Sequence, residues 1–143
     1  MKYLELRNSV AGLLRGDNSK ANETLIQDDT FLKMAIRDIS LRCVPSRLVT
    51  VWDDTKTDVF RRLASDRDTI YDDFAHSYIR MPVIDITDDG EVDMNNELIQ
   101  PLILYMCHYL SNKKEANYSK QADEAISFYE STSVDVNRYD LHL

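Results

Sequence analysis

The sequence predicts a mainly α protein: a helical bundle with a closing antiparallel helical hairpin and a small β-hairpin excursion in the middle. Three observations carry that expectation. The 143 residues hold three glycines and three prolines, too few for a fold of many tight turns. Apolar residues recur at helical spacing in the first and last thirds. Between these lie short stretches rich in β-branched and aromatic residues.

The first helix is expected over residues 2–14, where Tyr3, Leu6, Val10, Leu13 and Leu14 share one face. Gly16-Asp17-Asn18-Ser19 breaks it with turn residues. Asp28-Asp29-Thr30 offers capping oxygens and negative charge to a second helix, which carries Phe31, Leu32, Ala35, Ile36, Ile39 and Cys43 on one face. Pro45 ends it. Residues 48–52 and 59–63 read as strands of a hairpin joined by Asp53 to Asp58. Residues 78–84 read as an extended segment whose Pro82 places it at a sheet edge or in an irregular strand.

Asp93 is placed as the N-cap of a third helix, with Leu98, Leu102, Tyr105, Met106, Tyr109 and Leu110 on its face. Pro101 is expected to kink this helix or to mark its true start, and the kink is favoured because the apolar rhythm runs through it. Ser111 to Lys114 is a short polar joint, so a fourth helix from Glu115 to about Glu130 folds back antiparallel. Tyr118, Ala122, Ala125, Ile126 and Tyr129 form its inward face. One domain is therefore expected over residues 1–131, with the β excursion at 48–84 and an extended tail at 132–143.

Bulk properties exclude several functions. A net charge of −8 with scattered Lys and Arg is the wrong electrostatic footprint for clamping nucleic acid. The longest apolar run, Leu102 to Cys107, is far too short to span a bilayer. The first seven residues are charged and lack a signal peptide's apolar stretch. Cys43 and Cys107 sit in apolar segments without a paired spacing, which fits buried reduced thiols and folding in a cytoplasm.

The sharpest chemical candidate is the acidic stretch Asp85 to Asp93. Asp85, Asp89, Glu91 and Asp93 follow EF-hand calcium-loop spacing with Gly90 at the sixth place. Thr87 and Asn96 break the pattern, and Asn96 stands where a bidentate Glu is needed. A solvated acidic turn before a helix explains the same residues. Cys107 beside His108 is no catalytic pair by sequence alone, since helix neighbours point about 100° apart. No cofactor motif and no catalytic constellation occurs, so a non-enzymatic role is expected.

Glu97 to Ser111, Ala116 to Ala122 and Phe128-Tyr129 resemble the closing helical hairpin of head-to-tail adaptor (connector) proteins of tailed bacteriophages. The capped helix from Asp28 to Cys43, the Trp52-Asp53 turn and Arg61-Arg62-Leu63 are similar in layout. The polar stretch after Leu63 and the turn Asp88-Asp89-Gly90 depart from that family. The resemblance implies a virion protein, assembled in the host cytoplasm, that forms a homo-oligomeric ring, commonly a dodecamer. Such a ring sits beneath the portal protein, extends the DNA channel and meets a tail or stopper protein. DNA would touch it only in passage. A tail-completion or stopper ring is the alternative, and a calcium-binding interaction module a further one. On this reading the tail docks on the portal through Val134, Val136, Tyr139, Leu141 and Leu143.

Overall fold

The computed structural model describes residues 1–63, 77–113 and 116–132. Among these the protein is mainly α, with five α-helices and one three-stranded antiparallel sheet. The helices are α1 (Tyr3–Leu13), α2 (Ala21–Gln27), α3 (Thr30–Arg42), α4 (Ile99–Leu110) and α5 (Tyr118–Thr132). The strands are β1 (Val49–Val51), β2 (Val59–Arg62) and β3 (Ser77–Arg80).

Helix α1 buries Tyr3, Leu6 and Val10, as its spacing predicts, and also Arg7, whereas Leu13, expected on the same face at the helix's last position, is 47% exposed. Helix α2 was not expected. Its seven residues bury only Ala21 and Leu25, too few for a periodic signal. Helix α3 starts where the acids place it, but Asp28 rather than Asp29 does the capping: its Oδ1 accepts the Thr30 amide at 2.9 Å. The helix stops at Arg42, ahead of Pro45.

The expected hairpin between residues 48–52 and 59–63 does not form. The strand order is β1-β3-β2, so β3 lies between the two segments and pairs antiparallel with both. Burial explains the order: Tyr78 and Ile79 of β3 are fully buried, whereas β1 exposes Val51. The most buried strand takes the centre. β3 is accordingly the central strand rather than an edge, its ladder with β2 carries a register shift between Val59 and Arg61, and it ends at Arg80, two residues before Pro82 would have withheld an amide from the ladder.

The third expected helix is also corrected at its start. A 3-10 turn at Asn96–Leu98 leads into α4 at Ile99, so Pro101 lies in the first turn. There its missing amide has no intrahelical acceptor to lose, and no kink is required. Asp93 is not the cap. It is buried upstream and held by arginines.

Helix α4 is buried continuously from Pro101 to Cys107 because it packs on α1, α3 and α5. An all-round apolar helix belongs at the centre of such an arrangement. Helix α5 begins at Tyr118 rather than Glu115, after Asn117 in the left-handed region at φ 56°. Ala122, Ile126 and Tyr129 face the core as expected, with Tyr118 and Ala125 half-buried.

A polar chain ties α3, α4 and α5 together at the margin of this core. The Tyr109 hydroxyl donates to Asp38 and the Tyr105 hydroxyl to Asp123. Arg42 bridges the two carboxylates, at 3.5 Å from Asp38 and 3.1 Å from Asp123, with its guanidinium over the Tyr105 ring. Burial and the bond to Asp38 push the Tyr109 hydroxyl up to about 12, so the phenol stays protonated and keeps donating. The tyrosines at helical spacing thus serve packing and cross-helix bonding.

Candidate functional site

The acidic segment from Asp85 to Asp93 folds against the start of α1. The Gly90 carbonyl accepts the Tyr3 amide at 2.8 Å, and the Asp88 carbonyl accepts the Leu4 amide at 3.2 Å. These amides are among those a helix cannot satisfy itself, so the loop caps α1 with main-chain oxygens. Its carboxylates also lie at the positive end of the helix dipole. Arg7, buried on α1, reaches back to Asp88 at 2.8 Å and to Asn22 of α2 at 3.0 Å.

The four calcium candidates are each engaged elsewhere. Asp85 Oδ1 accepts the Thr87 amide at 3.1 Å and its hydroxyl at 2.7 Å, and these bonds lower its pKa. Asp89 pairs with Lys2 at 3.2 Å, and Glu91 with the Met1 amino group at 2.9 Å. Asp93 turns inward. Among the described residues, no three His, Cys, Asp or Glu side chains gather as a metal site.

Asp93 is 6% exposed and forms the most strongly held ionic cluster of this region. Both nitrogens of the Arg80 fork donate to its two oxygens, Nη2 at 2.9 Å from Oδ1. Arg47 Nε donates to Oδ1 at 2.9 Å, and the Val83 amide to Oδ2 at 2.8 Å. Burial by itself would raise the carboxyl. The bonds from Arg80, Val83 and Arg47 outweigh it and hold the pKa at about 2. The cluster joins the turn before β1, the end of β3 and the acidic loop.

Gly90 is essential to this arrangement for steric reasons. A Cβ on it would lie 2.4 Å from the Asp85 carbonyl oxygen and 2.6 Å from Asp85 Cγ. Gly90→Ala is therefore expected to destabilise the fold by about 1–3 kcal/mol, the usual cost of overpacking. Urea unfolding followed by circular dichroism measures it, and an unchanged midpoint would contradict the packing described.

The remaining candidates separate. Cys43 and Cys107 are free and buried, and burial raises both thiols to about 12, the opposite of an activated nucleophile. The Cys107 thiol faces the Val10 carbonyl at 3.9 Å, while the His108 ring packs edge-on against Tyr109. Val134, Val136, Tyr139, Leu141 and Leu143 lie outside the described residues.

Sequence reasoning missed one surface. Between α3 and the segment after β3 lies an apolar groove of about 280 Å³. Met34, Ile36, Phe60, Met81, Pro82 and Ile84 line it, and Lys33 and Arg37 stand at its margin. The groove brings residues of α3 together with residues some 50 positions later in the sequence, so no local pattern marks it. Further large apolar side chains are exposed at Val51 (74%), Val83 (69%) and Phe128 (71%).

Comparison with protein-family models, curated proteins and solved structures finds no match to this chain. Among the described residues no helix is long and apolar enough to cross a membrane.

Proposed function

We propose that the chain is a structural, non-enzymatic subunit of a tailed-phage particle. It is a head-to-tail adaptor that forms a homo-oligomeric ring beneath the portal, in the virion, and extends the DNA channel toward a tail or stopper protein. The observation that supports this reading is where the resemblance falls. Its best-matched residues occupy α4, the helix at the centre of the core, and α5, which packs on it. In this reading the pair closes the bundle as an antiparallel hairpin.

Exposed Val51, Val83 and Phe128 lie on three separate segments, and a side-by-side neighbour in a ring would cover such residues. The net charge of −8 suits a channel wall past which DNA slides without adhering.

Copurification of the tagged full chain with the portal protein of the same genome tests this, with electron microscopy of the product. Portal binding and a ring below the portal are expected. Deleting residues 133–143 should abolish the binding while leaving the helical circular dichroism of the subunit intact. Full binding by the deletion variant removes the tail as the anchor. Failure of the full chain to bind the portal removes the adaptor.

A further inference from the structure

We propose that two copies of this chain pair about a two-fold axis through the segment after β3, so that Asp85 of each meets Arg37 of the other at the mouth of the apolar groove. The inference rests on the groove and on these two charges, and is independent of the phage reading.

From Met81 to Asp85 the chain alternates exposed and half-buried residues. That is the period of an extended chain, so Met81, Val83 and Asp85 share its outward side. Val83 is 69% exposed and Met81 50%, and Met81 also lines the groove. Through Met81 the outward side of the segment continues into the groove. The charges on this surface are not balanced within one subunit. Lys33 is paired with Asp29 at 3.0 Å, but Arg37, exposed on α3, makes no ion pair among the described residues. In the acidic loop, Asp88, Asp89, Glu91 and Asp93 each meet a cation. Among the described residues Asp85 bonds only within its own turn, to Thr87. A second copy brings an acid to Arg37 and a cation to Asp85.

Chain direction makes the exchange reciprocal. Strand β3 delivers the segment to the C-terminal end of α3, since Arg61, paired with Ile79, donates to the Cys43 carbonyl at 3.1 Å. The loop that follows ends near the start of α3. There the Gly90 carbonyl accepts the Tyr3 amide at 2.8 Å, and the Tyr3 hydroxyl donates to Leu25, in α2 just ahead of α3, at 2.7 Å. The segment thus runs antiparallel to α3, and of the two basic residues Arg37 is nearer its Met81 end. A two-fold axis at Val83 lays two such segments antiparallel and sets Asp85 of the second copy beside Met81, at the Arg37 end of the groove. The same operation returns the contact on the other side, as an isologous interface requires. A two-fold contact closes on itself and builds no ring. The pair is therefore a state of the subunit outside any ring, and it parts before a ring neighbour covers Val83.

Sedimentation velocity of the full chain over a range of concentrations tests the pairing, and a reversible dimer is expected. Arg37→Glu should raise its dissociation constant about tenfold, because symmetry turns both opposite-charge contacts into like-charge ones. Asp85→Asn keeps an oxygen to accept the Thr87 bonds and should weaken the dimer in the same direction. Val83→Cys reads the register. At the axis the two new thiols lie within disulfide reach, and oxidised glutathione, itself reduced to two thiols, should link them. Cys43 and Cys107 are buried and do not compete. All three substituted sites are exposed, so the fold should not change. Three results overturn the proposal: a chain that is monomeric at every concentration; a dimer that Arg37→Glu leaves unchanged; and Val83→Cys protein that forms no disulfide-linked dimer.

Discussion

Leu102→Ala is expected to lower stability by about 3–5 kcal/mol, the cost of truncating a large side chain where the surroundings cannot collapse. Leu102 is fully buried on α4, which packs on α1, α3 and α5 at once. The helix that carries it is held by three others, so relaxation into a void is limited. The loss would consume a large share of the roughly 5–15 kcal/mol that holds a typical domain folded. Leu41→Ala provides the contrast. Leu41 is about half exposed on α3, and its truncation should shift stability by about 1 kcal/mol or less. Urea midpoints for the two variants measure the difference. Equal midpoints would mean that α4 is not the centre of the core.

Asp93→Asn is expected to cost about 2–3 kcal/mol at neutral pH. The amide keeps the size of the carboxylate but leaves the guanidinium groups of Arg80 and Arg47 without their counter-charge. Removing one partner of a buried pair costs about 3–5 kcal/mol. The lower figure applies here because the Arg47 side chain is 43% exposed and keeps part of its hydration.

The same residue sets a pH dependence with a definite sign. Its pKa falls from an ordinary 3.8 to about 2 on folding, so the folded state favours the charged form. The stabilisation is complete above about pH 4 and is lost as the pH falls toward 2. It amounts to about 2 kcal/mol at one pKa unit per 1.36 kcal/mol. Thermal unfolding between pH 5 and 2 should show a shallower loss in the Asp93→Asn protein than in the parent. Parallel curves would remove Asp93 as the source of this slope.

The acidic loop shows how far a linear pattern reaches. The spacing of Asp85, Asp89, Glu91 and Asp93 around Gly90 is visible in the sequence, and it suggests a cation loop. The folded loop instead distributes those carboxylates to Thr87, Lys2, the Met1 amino group and a pair of arginines. Gly90 stands where the calcium pattern wants a glycine, yet its role is to let the chain pass against Asp85. A single basic residue inside an apolar stretch, as with Arg80 after Ile79, was the available signal for a buried counter-ion. The groove had no comparable signal, since its walls come from α3, β2 and the segment after β3.

By itself the sequence determined the mainly helical class, the faces of α1, α3, α4 and α5, and the end of α3 before Pro45. These depend on spacing over a few residues and on the local geometry of capping acids and proline. Only the tertiary structure decided that β3 separates β1 from β2, that Pro101 sits at the start of α4 rather than at a kink within it, and that Asp93 serves Arg47 rather than a helix terminus. Each of those outcomes rests on a long-range choice. A strand takes the centre by how much apolar surface it buries against the others, and Asp93 meets Arg47 across 46 positions of sequence. Local rhythm carries no record of such partners, because they become neighbours only when the core has closed.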